Sequence, residues 1–313
     1  MRQTTWTNLG AAVNSHDYLE VLNDAGLQYK VGKKQGRIRI DGHEVPTGDW
    51  YTYRIGADRH IYGRVTEKYR IIQNEQAFAL SKGFQDVNFI RAGETQVRYN
   101  PRTNTYSGGM VWMIGELPEI NILGDAFTPH IIMVNDFAGH MAVRIALCIL
   151  RIICQNQFPM AFGKSNAKVS VWHTASGIAK FPSAQKMMSL VADNMVTFND
   201  MAEGYAAMKI SPRQIRMALD AMFPVKATDP IEAQERVAKE KRRFEEMFTA
   251  AYNAPDNHFF RGTAWGLINA YMDILTHREP SRKTANWEEN RFVDVTFGND
   301  AAKFIEIVDK IAV

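Results

Sequence analysis

Two cysteines in 313 residues, Cys148 and Cys154, are too few for a disulfide framework or for a four-thiolate zinc site. No histidine stands at finger-like spacing from them, and both lie in one apolar stretch. They read as reduced, buried thiols. A nucleophilic thiol needs an exposed, electropositive pocket, and Arg151 is the nearby cation. An enzyme acting through Cys154 and His173 is therefore kept only as a third reading. The chain also lacks a phosphate-binding loop, a dinucleotide fingerprint, a zinc-protease helix motif and a serine-hydrolase elbow. Its carboxylates do not cluster as nuclease metal ligands would, and Asp125 and Asp136 fall in expected turns. No cofactor, no metal and no catalytic residue are expected. The greasiest run, Met141 to Cys154, is too short to span a bilayer and contains Arg144 and Arg151. With a polar N-terminus that has no apolar core of a signal peptide, the expectation is a cytoplasmic protein. The formal net charge of +3 is small, so any electrostatic footprint must come from where the charges sit.

What is present is ordinary globular material, 46% apolar and 23% charged, enough for a substantial core. Ser15 reads as the N-cap of a helix to Ala25, with Gly26 ending it. Lys30–Ile40, Trp50–Ile55 and His60–Thr66 read as strands, with Asp41-Gly42 a hairpin turn. Asn74 caps a helix from Glu75 to Phe84. Glu94–Asn100, Met110–Leu117, His130–Phe137 and His140–Leu147 supply further strands, the last two joined at Ala138-Gly139. The apolar spacing predicts a helix over Leu150–Phe162 and a short strand over Lys168–Trp172. Beyond that the chain is helical: Phe181–Ala207, Ser211–Phe223, Asp229–Tyr252, Phe259–Thr276 and Asn299–Ile311, with Arg278–Asn286 an exposed loop. The fold class is α+β, an antiparallel β-meander and hairpin core with packed helices, then a helix-rich C-terminal half. The expected division is a mixed core over 1–174, a helical region over 175–279, and a loop with a terminal helix over 280–313.

Two stretches carry candidate chemistry. In Arg151-Ile-Ile-Cys-Gln-Asn-Gln157, a guanidinium and the amides Gln155 and Asn156 could read phosphates or bases. They could equally form a buried polar network tying a helix to the sheet. On the expected helix Arg151 and Asn156 would lie about 140° apart. Arginine would then be the exposed phosphate contact, dispensable for stability, and asparagine the internal tie. Lys164, Lys168 and His173 could extend a basic strip from there, although a histidine closing a strand is commonly a structural hydrogen-bonder. The second stretch interleaves Arg91, Arg98 and Arg102 with Tyr99 and Tyr106. Arginines that hold phosphates beside rings that stack on bases are what single-strand binders use. A solvated hairpin face is the alternative. Lys239-Glu-Lys-Arg-Arg243, set among glutamates, reads as a salt-bridged helix face.

Arg54-Ile-Gly-Ala-Asp, Gly63-Arg-Val and Tyr69-Arg-Ile-Ile-Gln-Asn74, then Gly108-Gly-Met-Val-Trp112, Gly124-Asp125 and Asn135-Asp-Phe-Ala-Gly139 follow one another in order. Arg151-Ile-Ile-Cys-Gln-Asn156, Trp172-His-Thr174, Gly262-Thr263, Asn269 and Phe297-Gly298 complete the series. In that order they resemble the phage- and plasmid-associated family known as domain of unknown function 932. The chain departs from it at Gln157-Phe158, where the family pattern has Thr-Leu. The resemblance implies mobile-element biology, rich in replication and recombination, and no specific activity. A β-meander followed by a helix is also similar at fold level to Rad52-like single-strand annealing proteins, which form rings with a basic DNA groove.

The expected function is therefore single-stranded DNA binding, of an annealing or replication-support kind, by a homo-oligomer. Methionines 187, 188, 195, 201 and 208 offer adaptable surface for self-association. The alternative is a protein-interaction module, an inhibitor or decoy of host defence that binds no nucleic acid.

Overall fold

The structure, a computed structural model, describes residues 3–56, 60–84, 86–103, 105–159, 168–181, 191–226, 228–280 and 282–312. The chain runs β1 (Ala11–Ser15), α1 (Tyr18–Asp24), β2 (Val31–Ile40), β3 (His43–Arg54), β4 (Ile61–Val65) and α2 (Asn74–Phe78). Then come β5 (Asn88–Glu94), β6 (Arg98–Asn100), β7 (Thr105–Ser107), β8 (Met110–Glu116), β9 (Ile120–Ile122), β10 (Asp125–Asp136), β11 (Val143–Arg151), β12 (Asn156–Pro159) and β13 (Lys168–Val171). The helices α3 (Ala175–Ile178), α4 (Val191–Ala207), α5 (Pro212–Met222), α6 (Ile231–Tyr252), α7 (Ala264–His277), α8 (Trp287–Phe297) and α9 (Asp300–Ile311) follow.

The main sheet is antiparallel in the order β1-β5-β8-β10-β11, with β12 and β13 paired to opposite ends of β11. Its central strands are apolar on both faces because both faces are covered. Phe127, Ile131, Met133, Ile145, Leu147 and Ile149 enter the larger core beneath the helices. The alternate residues Ile132, Val134, Ala146 and Cys148 enter a second core. On the first face Phe158 of β12 stacks on Trp265 of α7 at 5.5 Å, and Phe198 of α4 meets the same indole at 5.9 Å. On the second face Trp112 of β8 packs on Phe292 of α8 at 5.3 Å, with Trp6 against the same ring. Each such ring is worth about 1.5–3 kcal/mol when buried. Gly93 is obligatory here: a Cβ on it would sit 2.8 Å from both Gly10 Cα and the Trp112 ring.

A second sheet, β2-β3-β4, stands beside the first, and the short β6-β7 hairpin lies against β4. Three contacts fix this small sheet. Thr52 Oγ1 donates to Phe137 O at 2.6 Å, Lys33 Nζ donates to Tyr69 O at 2.9 Å, and Gly63 lies against the Ala138 backbone.

Most elements lie where the periodicity places them, and the α+β class holds. The expected helix over 150–162 is instead the end of β11, a turn and β12. Ile149, Leu150 and Arg151 continue β11 by pairing with Phe158, Gln157 and Asn156, and Gln155 at φ +60° closes the turn between them. The expected strand over 94–100 is split between β5 and β6. Helix α1 is capped by Asp17, which accepts from Leu19 N, rather than by Ser15, which ends the unforeseen strand β1. Helix α2 starts after Gln73, one residue ahead of the expected cap. Helix α8 was also unforeseen. The contacts of Phe158 with Phe198 and Trp265 cross the 174/175 division, and Phe292 brings the terminal segment onto the sheet.

Candidate nucleic-acid interface

On β3, Tyr51 and Tyr53 are two residues apart and therefore share a face. Tyr53 pairs with Gly32, and Tyr51 pairs with Lys34 on one side and Arg64 on the other. Glycine is needed beneath the rings. A Cβ on Gly32 would lie 2.8 Å from the Tyr53 ring, and one on Gly36 would lie 2.9 Å from the Tyr51 ring. The rings thus lie across bare backbone. The β6-β7 hairpin brings two more: Tyr99 and Tyr106 are direct cross-strand partners with centroids 5.0 Å apart, and Tyr106 meets Tyr51 edge-on at 6.5 Å. Tyr99 is 51% exposed, and Tyr51, Tyr53 and Tyr106 are half-buried. Burial, then the Tyr51 and Tyr99 phenols beside it, push Tyr106 above its ordinary range.

The cations around these rings are exposed. Lys34 and Arg64 are solvent-facing, and Arg64 pairs loosely with Asp49 at 3.5 Å. Arg102 is exposed in the β6-β7 turn; the half-buried Arg98, next to Tyr99 on the strand and so on the hairpin's other face, donates to Gln96 Oε1 at 2.9 Å. Residues 30–54 hold Lys30, Lys33, Lys34, Arg37, Arg39 and Arg54 against Asp41, Glu44 and Asp49, a net +3 that equals the whole chain's formal charge. The remaining 288 residues therefore sum to zero. Sequence reasoning found Arg98, Arg102 and Tyr106 but missed Lys34, Tyr51, Tyr53 and Arg64. The alternating tyrosines opposite glycines were the available signal.

The other predicted strip is elsewhere and interior. Arg151 is 1% exposed. Its Nε and Nη2 donate to Asp125 Oδ2 at 2.9 and 2.5 Å, Nη2 also to Asp256 O, and Nη1 to Asn269 Oδ1. Arg151 and Asn156 are not 140° apart on a helix but directly paired across β11 and β12. Asn156 is buried, donates to Asn269 O, and its Oδ1 lies 3.0 Å from His277 Nε2. Gln157 holds the N-terminal segment by accepting from Thr5 N, and its own N donates to Thr276 Oγ1. This is the polar network, not a ligand face. Gln155 sits in the turn with its amide on Ile152 O. Burial, only partly offset by the Arg151 guanidinium, pushes the Cys154 thiol up to about 12, and burial does the same to Cys148.

His173 lies in a second buried knot. Its ring stacks on Tyr69 at 4.7 Å and its Nδ1 is 3.2 Å from Arg70 O. Tyr69 donates to Asp136 O, and the Asp136 carboxylate accepts from the Ala138, His140 and Met141 amides that close the β10-β11 turn. Burial lowers the His173 pKa to about 4. Lys168 belongs to β13, with its side chain outside the described residues, and Lys164, Met187 and Met188 also lie outside them. Arg91 donates to Leu9 O and ties down the N-terminal segment. Asp125 and Asp136 end the same strand, so the Arg151 knot and the small sheet are about 35 Å apart. The two basic strips do not share a groove.

Among the described residues no helix is long and apolar enough to cross a membrane, and no group of three His, Cys, Asp or Glu could hold a metal ion. Comparison with curated proteins and with solved structures found no match. The model of one family matches residues 61–294, from β4 into α8. It takes in both buried knots, Tyr99 and Tyr106, and leaves out β2 and β3. The chain belongs to the family described as "Domain of unknown function (DUF932)".

Proposed function

We propose that this chain binds single-stranded nucleic acid on the tyrosine-lined face of its small sheet. The observation that carries the reading is the grouping of Tyr51, Tyr53, Tyr99 and Tyr106 with Lys34 and Arg64, with Arg102 exposed in the adjoining β6-β7 turn. Rings of this kind stack on bases of any sequence while the cations follow the backbone. Such a protein needs no cofactor and no catalytic residue. The finer reading is annealing or replication support for single-stranded DNA in a phage or plasmid, by a homo-oligomeric assembly such as a ring. The test is titration of a fluorescent single-stranded oligonucleotide at rising salt, with Tyr51→Ala and Tyr99→Ala as variants. Each ring that stacks on a base should contribute about 1–3 kcal/mol. Absence of binding at low salt would remove the reading.

A protein-interaction role has one observation in its favour. Phe259 is 87% exposed and Ile153 65%, each next to a member of the Arg151 knot in sequence or fold. A stoichiometric protein partner that survives nuclease treatment and is lost with Phe259→Ser would favour this second reading.

A further inference from the structure

Where the small sheet meets the main one, four side chains converge that the tyrosine-lined face does not use. Tyr29 lies just ahead of β2, His60 just ahead of β4, Tyr62 within β4, and Glu94 ends β5. Three therefore belong to the small sheet and one to the main sheet. Tyr62 reaches this seam through a β-bulge. Ile61 and Gly63 pair with the consecutive residues Tyr53 and Thr52, which leaves Tyr62 as the extra residue. Bulges commonly re-aim a side chain toward a site. The Tyr62 ring lies fully buried against Phe137 at 5.1 Å and over the bare backbone of Gly109, where a Cβ would come within 2.8 Å of it.

Tyr29 Oη, Tyr62 Oη, His60 Nε2 and Glu94 Oε1 are all closed off from solvent, and none has a hydrogen-bond partner among the described residues. They are nevertheless neighbours. His60 stands edge-on to Tyr62 at 4.7 Å, and the Tyr29 and Tyr62 rings are stacked at 6.4 Å. Burial, then the Glu94 charge, push the Tyr29 phenol up; burial, then Tyr29, then Glu94, do the same to Tyr62. His60 Nε2 and Glu94 Oε1 are 3.9 Å apart. That is too long for a hydrogen bond, but it is within the span of two atoms that each sit about 2.0–2.2 Å from one ion. Buried polar groups are almost always paired, so four orphans in one place call for an occupant. Three oxygens, two of them phenolic, with one imidazole and no thiolate suit a hard, highly charged metal ion rather than zinc or copper(I). Two phenolates and a carboxylate balance a trivalent charge, and tyrosine is an established iron ligand. The Arg54 guanidinium, 3.8 Å over the Tyr29 ring, is the cation beside this set and would favour a small anion in the coordination positions the protein leaves open.

We propose that Tyr29, Tyr62, His60 and Glu94 bind one iron(III) ion that clips the small sheet to the main sheet. The two phenolic protons pass to solvent on binding, and the iron keeps its oxidation state. The site is independent of the exposed face, which uses four other tyrosines.

The experiment adds iron(III) nitrilotriacetate to the full chain after dialysis against a chelator. Phenolate bound to iron(III) gives a charge-transfer band in the visible. That band should appear and saturate at a single ion per chain, with a rise in melting temperature. Tyr29→Phe with Tyr62→Phe should abolish the band, and Glu94→Gln should weaken iron binding at least about tenfold. Each tyrosine substitution removes only an unpartnered hydroxyl and keeps the ring, so an unaltered circular dichroism spectrum is expected. Absence of the band in wild type overturns the proposal. A band of undiminished strength in the double tyrosine variant also overturns it, because exposed tyrosines would then hold the iron. So does a rise in melting temperature with zinc(II) equal to that with iron(III).

Discussion

Arg151 looks, in the sequence, like a phosphate contact, and in the fold it is an interior brace. Its guanidinium neutralises Asp125 and approaches Asp256 at 3.6 Å, all with little access to water. Removing one partner of such a buried set leaves uncompensated charge. Arg151→Ala should therefore lower unfolding stability by about 3–5 kcal/mol in a urea titration. An unchanged midpoint would mean that the pairing contributes nothing. His173 provides a pH signature. Its folded pKa is about 4 against an ordinary 6.5, so the unfolded chain binds more protons between those values. The contribution of neutral His173 is complete above pH 6.5 and is lost as pH falls toward 4. Acid destabilisation across that window should flatten in His173→Phe, read as melting temperature against pH. The thiols of Cys148 and Cys154, both pushed up to about 12, should resist iodoacetamide at pH 8 until the protein unfolds. Rapid alkylation of native Cys154 would reopen the enzymatic reading.

Among elements, the start of α5 was legible, whereas the caps expected at Ser15 and Asn74 are Asp17 and Gln73. Ser211-Pro212 sets a capping box in which Ser211 Oγ accepts from Gln214 N, and Ser211→Ala should cost about 1 kcal/mol. The apolar strands β8, β10 and β11 and the Asp41-Gly42 turn were also readable, because local chemistry decides them. Others were not, among them β1, α8 and β12. Strand β1 is defined by its pairing with β5, helix α8 by Phe292 under Trp112, and β12 by Phe158 under Trp265. Each depends on a partner distant in sequence. The same reason hid the burial of Arg151. The motifs that carry the family resemblance, Tyr69, Asp136, Arg151-Asn156 and His173, fold into the two buried knots. They are prominent because they hold the architecture together. The exposed face instead uses tyrosines on strands that no motif marks. Gly32→Val tests its construction. Displacing the Tyr53 ring should weaken oligonucleotide binding several-fold while Thr52 and Lys33 keep the sheet docked.

For the whole molecule, net charge of +3 understates the field, because it is concentrated on one β-ribbon and absent elsewhere on balance. A ring or other oligomer, if formed, should place these ribbons along one continuous track. Light scattering at micromolar protein tests that assembly, and a monomer mass would end the ring while leaving the face intact. On this proposal the small sheet is a stacking platform framed by Lys34, Arg64 and Arg102. The most direct measurement is the affinity for a labelled single-stranded oligonucleotide as a function of salt, for wild type and for Tyr51→Ala with Tyr99→Ala. Three phosphate contacts on single strand, by Lys34, Arg64 and Arg102, predict a log–log slope of about −2. The double variant should bind at least about tenfold more weakly with the slope and melting temperature retained. A flat salt response, or equal affinity of the variant and wild type, would contradict the account.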